Sequence, residues 1–357
     1  MKPLLGVRDD LVGHPPYVSP QWPVTYRMNT NESPYPPPGA LVQEITAQLG
    51  AVAFNRYPEG DARALFDALS TAVGWPSDGL WVANGSNEIF LHLLLAYGGK
   101  GRKSMTFEPT YALHSSIARI SGTEVVQVER GEGFEIDLDA AVAAISKHKP
   151  HIVIACSPNN PTGNLDPLGS IRALLEEVDG LVVVDEAYGE FADSGDSAAS
   201  LLADHRNLII VKTFSKAWRL AGVRIGYLMA DQEVVDGLRR VRLPYHLSAV
   251  TQLVGSAALE HRSETDVLAR AVADERDRIA VELQAFGLKT YPSHANFVLF
   301  EVDDSEAVWK SLLHRGILIR NYPSVPRLMH CLRVTAGTSA ETDVFLAAMK
   351  EILGDDV

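Results

Sequence analysis

The fold is decided by the stretch LIIVKTFSKAWRLAGVRIGY, which runs from Leu208 to Tyr227. Its first four residues are all apolar, as is typical of a strand that is buried on both faces of a parallel sheet. Two lysines, Lys212 and Lys216, follow four residues apart, close to two arginines and two glycines. A buried strand that leads directly into such a turn indicates that one of the two lysines has a catalytic role.

Apolar strands and helices alternate through the middle of the chain. The predicted strands read SMTF, EVVQV, HIVIAC, LVVVD, LIIVK and IGYLM, and segments with helical periodicity separate them. Strands that are apolar along their whole length need helices on both faces of their sheet. The predicted fold class is therefore α/β, with a mostly parallel sheet covered by helices.

The chain is expected to contain two domains and an arm, because 357 residues exceed the usual size of one domain. Residues 1–40 are rich in proline, which predicts an extended N-terminal arm that lies across a neighbouring subunit. Residues 41–245 carry the alternating pattern and form the predicted large domain. A long charged helix, predicted from Glu264 to Phe286, is followed by the predicted strands LKTYP, NFVLF and LRVTA. This pattern predicts a smaller α+β domain over residues 246–357.

Charge and cysteine content narrow the class of protein. The formal net charge of -13 disfavours nucleic acid and anionic membranes as partners, so any bound anion must be held by individual arginines and backbone amides. The two cysteines cannot form a disulfide framework, and the first residues lack the apolar core of a signal peptide. We therefore expect a cytoplasmic protein. The eleven histidines show no metal-binding spacing, so no metal is expected.

Asp185 ends the apolar strand LVVVD and is predicted to be buried. A buried carboxylate needs a cationic partner, because it would otherwise take up a proton. One candidate is Lys216, in a structural salt bridge. The other is the ring nitrogen of pyridoxal phosphate, which an aspartate keeps protonated so that the ring can accept electrons.

The turn after LIIV is a second candidate site. Lys216 follows Thr213 and Ser215 and precedes Arg224, so two hydroxyls and a guanidinium could hold a phosphate beside an amine able to bind an aldehyde. Lys212 is interpreted differently. It lies within the strand, and we expect its ammonium group at the surface.

A third candidate is the segment in which Gly85, Ser86 and Asn87 open the helix NEIFLHLLLAY. The first amides of a helix have no partner within it and lie at the positive end of its dipole, so they can bind an anion. A simple helix cap by Ser86 or Asn87 explains the same residues equally well.

Taken together, these motifs resemble a known family. In this order, NGSNE, NNPTG, DEAY, TFSK, LAGVRIGY and LRVTAGT are similar to the motifs of the fold-type I pyridoxal-phosphate aminotransferases, and MNTNESPYPPP, FNRYPEG and EPTYALH resemble their histidinol-phosphate branch. The similarity runs from about residue 15 to the end of the chain. It implies a seven-stranded sheet, a homodimer, pyridoxal 5'-phosphate as cofactor, and transamination between L-histidinol phosphate and 2-oxoglutarate in histidine biosynthesis.

The resemblance also assigns roles around the cofactor. Lys216 would bind it covalently, and Asp185 would pair with its pyridine nitrogen. The remaining expected contacts are Asn160 and Tyr188 at the ring hydroxyl, Tyr111 on the ring face, and Ser86, Thr213, Ser215 and Arg224 at the phosphate, with Tyr57 reaching in from the second subunit.

The substrate site is expected at two arginines. By resemblance, Arg333 would bind the substrate anion, and Arg320, thirteen residues earlier, would make the pair typical of a phosphate site. Tyr17 of the arm would complete this pocket across the dimer, and Asn160 would contact the substrate as well. An interdomain salt bridge for Arg333 and a solvated strand end for Arg320 are the structural alternatives.

Other functions remain open at this stage. An aromatic amino-acid aminotransferase could use the same scaffold, with Arg333 alone holding a carboxylate. A pyridoxal-phosphate decarboxylase of a phosphorylated amino acid shares the cofactor motifs and needs no 2-oxo acid. A regulatory domain that only binds the cofactor is the most distant alternative, because the acidic chain carries no DNA-binding module.

Overall fold

The structure, a computed structural model, describes residues 5–14 and 22–354. The strands are β1 (Tyr26–Arg27), β2 (Leu80–Ala83), β3 (Lys103–Glu108), β4 (Glu124–Glu129), β5 (Ile152–Cys156), β6 (Leu181–Asp185), β7 (Leu208–Thr213), β8 (Gly226–Met229), β9 (Phe297–Glu301), β10 (Ile317–Leu318), β11 (Arg320–Asn321) and β12 (Cys331–Thr335). The helices are α1 (Gly39–Leu49), α2 (Arg63–Val73), α3 (Ser86–Tyr97), α4 (Leu113–Ile120), α5 (Leu138–His148), α6 (Leu168–Glu177), α7 (Gln232–Arg239), α8 (Ala249–Glu260), α9 (Arg262–Ala285), α10 (Ser305–His314) and α11 (Ser339–Gly354).

A seven-stranded sheet in the order β2-β8-β7-β6-β5-β3-β4 forms the larger part of the molecule. Its strands run parallel except β8, which is antiparallel to both of its neighbours. Within β6, Val182 and Val184 belong to the core on one face, and Val183 belongs to the core on the other. Burial of both faces explains why central strands such as β5 and β6 are apolar along almost their whole length. The predicted α/β class with a mostly parallel seven-stranded sheet is confirmed.

The smaller sheet is antiparallel, in the order β11-β12-β9. The predicted long charged helix is confirmed as α9, which is 24 residues long. The expected strand at LKTYP is wrong, because Thr290 makes only a single bridge, to Phe300. Pro292 lies two residues further on and has no N–H to continue a ladder.

The last part of the predicted arm packs on its own chain. Strand β1 pairs in parallel with β10, and the backbone N–H of Met28 donates to Leu318 O at 2.8 Å. This pairing brings residues 29–32 to the carboxyl edge of the large sheet. The limits proposed at residues 40 and 245 stay predictions. Over the described ranges, no helix has the length and apolar character needed to cross a membrane.

Candidate active site

A cavity of about 750 Å³ opens where the parallel strands of the large sheet end, and residues of the small sheet complete its wall. This is the edge at which open α/β sheets bind ligands. The cavity brings most of the predicted site residues together. Those that line it are Ser86, Asn87, Tyr111, Asn160, Asp185, Tyr188, Thr213, Ser215, Lys216, Arg224, Arg320 and Arg333.

Lys216 lies just beyond the end of β7, and its side chain points into this cavity. Its Nζ donates a hydrogen bond to the backbone oxygen of Thr30 at 3.0 Å. Burial, followed by the nearby Arg333 guanidinium, lowers the pKa of Lys216 from 10.5 to about 8. A substantial fraction of the amine is therefore neutral near pH 8, which is the form that attacks an aldehyde.

Asp185 does not form the salt bridge with Lys216 that was one of its two predicted alternatives. Its Oδ2 lies 2.9 Å from His114 Nε2, and its Oδ1 accepts the backbone N–H of Ala187 at 3.1 Å. The side chain of His114 is completely buried, and that of Asp185 is 3 % exposed. The buried carboxylate thus has a neighbouring imidazole and still lines the cavity.

The ammonium group of Lys212 does not lie at the surface, so that prediction is wrong. Its side chain is only 12 % exposed, and Nζ lies 3.0 Å from Glu186 and 3.5 Å from Glu190. The alternation of β7 turns this side chain away from the cavity, towards the turn that follows β6. Both carboxylates belong to the DEAYGEF segment, so the prediction failed because the partners come from a neighbouring strand end.

The predicted phosphate-binding residues form one cluster at the start of α3. Arg224 Nη1 donates to Ser215 Oγ at 3.2 Å, and Thr213 Oγ1 contacts the same hydroxyl at 3.0 Å. Helix α3 begins at Ser86 with Gly85 as its N-cap and has no side-chain cap, so the capping alternative is wrong. Gly85 has a φ of +84°, and a Cβ there would collide with the Arg224 guanidinium.

These groups suit a phosphate monoester well. Unpartnered amides at a helix start, two hydroxyls and a guanidinium are the donors that phosphate prefers, and Gly85 keeps the space between them open. A buried carboxylate and an amine with a lowered pKa lie along the same cavity. The donor set therefore fits pyridoxal phosphate, with its phosphate at α3, its ring nitrogen at Asp185 and its aldehyde at Lys216.

Asn160 and Tyr188, both expected at the ring hydroxyl of the cofactor, contact each other. Asn160 Nδ2 donates to the Tyr188 hydroxyl at 3.3 Å, and burial raises the pKa of Tyr188 well above its usual value. Tyr111, two residues before α4, places its hydroxyl 3.4 Å from Asn87 Oδ1 and its ring edge-on to His114, with centroids 5.4 Å apart. These two contacts hold Tyr111 in the lining of the cavity.

The two predicted substrate arginines are neighbours in the small sheet. Arg320 and Arg333 are direct partners in the β11–β12 register. Arg333 donates to Asn160 Oδ1 at 2.5 Å and to Asn29 O at 2.7 Å, and its guanidinium lies over the ring of Phe297. No carboxylate forms an ion pair with either arginine within residues 5–14 and 22–354, which argues against the interdomain salt bridge.

The remaining predicted residues lie elsewhere. Tyr57 is 81 % exposed and stacks on Tyr245 with ring centroids 4.6 Å apart, outside this cavity. The expectation that it contributes to a second subunit's site stays a prediction. Tyr17 lies outside the described residues.

Sequence reasoning missed two buried residues of the site. His114 is part of EPTYALH, and it lies in the first turn of α4, where its ring contacts that of Tyr111, three residues earlier in the same motif. Asn31 is part of MNTNESPYPPP, and its Nδ2 donates to the Tyr188 hydroxyl at 2.9 Å. Nothing in the local sequence signals this contact, because the two residues are 157 positions apart.

Comparison with known proteins places this geometry in a family. The model of the family described as aminotransferase class I and II matches residues 25–349. A histidinol-phosphate aminotransferase of Thermobifida fusca is 46% identical over 356 residues, which is 98% of this chain and 96% of that protein. The enzyme of the same description from Mycolicibacterium smegmatis is 44% identical over 364 residues, with 99% and 95% covered.

Solved structures have the same fold. The crystal structure of histidinol-phosphate aminotransferase from Sinorhizobium meliloti in complex with pyridoxal-5'-phosphate superposes with a TM-score of 0.88 at 24% identity, covering 99% of each chain. L-threonine-O-3-phosphate decarboxylase from Porphyromonas gingivalis superposes with a TM-score of 0.81 at 22% identity, covering 92% of this chain and 100% of that one. At such identities the likeness extends to the fold alone.

Proposed function

Because the chain belongs to the class I and II aminotransferases, and among them to the histidinol-phosphate aminotransferases, we propose that it transfers the amino group of L-histidinol phosphate to 2-oxoglutarate. Pyridoxal phosphate is the cofactor of this family of transaminases, which act in histidine biosynthesis. The choice of 2-oxoglutarate as acceptor and the residue roles below are our proposals.

Bound pyridoxal phosphate supplies an electron sink for the negative charge that develops on the amino-bearing carbon of the substrate. In the proposed site, Asp185 holds a proton at the ring nitrogen, and the neighbouring His114 imidazole keeps its carboxylate in place. Ser86, Ser215 and Arg224 would bind the phosphate group. Lys216 would hold the cofactor at its aldehyde carbon.

The proton transfer is assigned to Lys216. Its free amine would accept the proton from the amino-bearing carbon of the substrate and donate it again as a general acid. The pKa of about 8 supports this role, because such an amine both accepts and donates a proton near neutral pH. Lys216 Nζ donates a hydrogen bond to Thr30 O at 3.0 Å, and both residues line the cavity. The amine nitrogen therefore lies within the cavity.

The observation that carries the choice of substrate is the pairing of Arg320 with Arg333 across β11 and β12. L-Histidinol phosphate has no α-carboxylate, so its terminal phosphate is the anion available to these guanidiniums. A dianionic phosphate can engage two arginines, whereas a carboxylate is satisfied by one. In the second half-reaction, 2-oxoglutarate would place a carboxylate at the same site.

The test is a single half-reaction. The cofactor-loaded enzyme is mixed separately with L-histidinol phosphate and with L-phenylalanine, and the loss of the absorbance of the lysine-bound cofactor is followed. Fast conversion by the phosphate ester alone supports the proposal. Faster conversion by phenylalanine would instead make this an aromatic amino-acid aminotransferase. A third sample with L-threonine O-3-phosphate and no acceptor tests the decarboxylase, which alone would release carbon dioxide from it.

We also propose that the enzyme works as a cytoplasmic homodimer. Tyr57 and Tyr245 form an exposed aromatic stack, with Tyr57 81 % and Tyr245 47 % exposed. Exposed aromatic surface of this kind is typical of an interface. In the dimer, Tyr57 would reach the phosphate group of the other subunit's cofactor, and Tyr17 would reach its substrate. Sedimentation at increasing dilution tests the assembly, since loss of activity should accompany dissociation.

A further inference from the structure

Asn31 occupies the junction between the N-terminal segment, the large sheet and the small sheet. It is 1 % exposed and has a φ of +55°, a left-handed conformation that asparagine tolerates better than most residues. Its backbone N–H donates to Thr335 Oγ1 at 3.1 Å, and its backbone oxygen accepts from Asn296 Nδ2 at 3.1 Å. A residue held at both backbone atoms has little freedom to move.

The side-chain amide of Asn31 is oriented by the same threonine. Thr335 Oγ1 donates its proton to Asn31 Oδ1 at 3.0 Å. That contact directs Nδ2 to the opposite side, where it donates to the Tyr188 hydroxyl at 2.9 Å. An amide nitrogen can only donate, so the Tyr188 oxygen must be the acceptor in this contact.

Tyr188 receives a second donor from Asn160. The Oδ1 atom of Asn160 faces the Arg333 guanidinium, which has no acceptor atoms, so Nδ2 of Asn160 must be the atom that faces Tyr188. The Tyr188 oxygen therefore accepts two N–H groups and has its own proton left to donate. Among the described residues, no side chain or backbone oxygen accepts that proton.

We propose that Asn31 is a positioning residue which, together with Asn160, directs the Tyr188 hydroxyl proton into the cavity, towards the ring oxygen of bound pyridoxal phosphate. This inference rests on the proposed function, because it needs the cofactor ring beside Tyr188. Burial holds Tyr188 in its protonated form, so the proton is available for donation. A proton donated to the ring oxygen favours the ionised form of that oxygen.

The test is a pH titration of the absorbance of the bound cofactor. Asn31→Asp keeps the size of the side chain but replaces a donor by an acceptor, so the Tyr188 proton turns away from the ring. The midpoint of the titration should rise by about one pH unit, as expected for loss of one hydrogen bond to a charged group. Asn31→Ala removes the donor without offering an acceptor and should raise the midpoint less.

A double-mutant cycle separates this role from a general structural one. In Tyr188→Phe protein, which has no hydroxyl, Asn31→Ala should change the midpoint no further. The inference is overturned by equal midpoints in wild type and both Asn31 variants, or by an undiminished effect of Asn31→Ala in the Tyr188→Phe background. If the Asn31→Asp protein does not fold, the double-mutant cycle of Asn31→Ala with Tyr188→Phe tests the inference by itself. A wild-type protein that shows no cofactor absorbance overturns the proposed function together with this inference.

Discussion

Arg320 and Arg333 lie directly opposite each other on adjacent antiparallel strands. Like charges in this arrangement repel, and the arrangement is destabilising unless an anion lies between them. Arg333 is 6 % exposed, and its Nε is buried without a hydrogen-bond partner among the described residues. We therefore propose that the pair is a preformed anion site, in which a bound substrate anion would relieve the repulsion between the two guanidiniums.

Substitution of Arg320 tests this pair. Arg320→Gln should lower kcat/KM for L-histidinol phosphate roughly 10- to 100-fold, because a hydrogen bond to a charged group contributes about 1.5–3 kcal/mol. The half-reaction with L-phenylalanine, which has a single carboxylate, should change less. Arg315→Gln is the matched control, since Arg315 pairs with Glu351 on the surface at 3.6 Å. Equal kcat/KM in wild type and Arg320→Gln would exclude Arg320 from phosphate binding.

The lowered pKa of Lys216 predicts how covalent attachment of the cofactor depends on pH. The ammonium form, which dominates below the pKa of about 8, has no free electron pair, so attachment should be slow at pH 6 and reach a plateau above pH 9. Stopped-flow absorbance of apoenzyme mixed with saturating pyridoxal phosphate gives the rate. Lys216→Arg should show no attachment at any pH. A midpoint near 10.5, the ordinary lysine value, would show that the cavity does not perturb this amine.

The fold, and the gathering of most candidate site residues in one cavity, could be predicted from the sequence because the signals are local. The central strands of the large sheet are short apolar runs, and polar site motifs follow their ends, so parallel topology brings those motifs to one edge. Strand β2, with the sequence LWVA, is not among the predicted strands. Its assignment depends on pairing with β8.

The contacts that could not be predicted join residues far apart in the chain. His114 and Asp185 are 71 positions apart, and Asn31 and Tyr188 are 157 apart. No periodicity or motif spacing encodes such pairs, because they depend on how the loops pack after the sheet has formed. The predicted exposure of Lys212 was wrong for the same reason. A lysine in a strand is ordinarily exposed, and burial requires a carboxylate from another part of the fold.

Removal of the Lys212 charge should be strongly destabilising. Lys212→Met leaves Glu186 and Glu190 buried without their cation, and breaking a buried ion pair in this way costs about 3–5 kcal/mol. The free energy of unfolding of the apoenzyme in urea measures the effect. Lys310→Met removes an exposed pair with Glu306 and should change stability by less than about 1 kcal/mol. Similar losses for the two variants would refute the view that the Lys212 cluster is a buried charge network.

Arg327 joins the small sheet's side of the cavity to the large domain. Its Nη1 donates to Arg130 O at 2.5 Å and its Nη2 to Gly131 O at 2.6 Å, while its guanidinium lies 4.8 Å from the centre of the Phe134 ring. The adjacent Leu328 is part of the cavity wall. These contacts fix this part of the cavity wall against residues 130–134.

Loss of the Arg327 contacts should weaken substrate binding more than it slows catalysis. Arg327→Met should raise KM for L-histidinol phosphate roughly tenfold with a smaller change in kcat, since two charge-assisted hydrogen bonds in a partly exposed contact contribute about 1.5 kcal/mol. Lys310→Met again controls for loss of a surface cation. Steady-state kinetics at saturating acceptor separates KM from kcat. An unchanged KM would show that Arg327 is not needed to hold this part of the cavity wall, and that the packing of Tyr291 against Phe134 is sufficient.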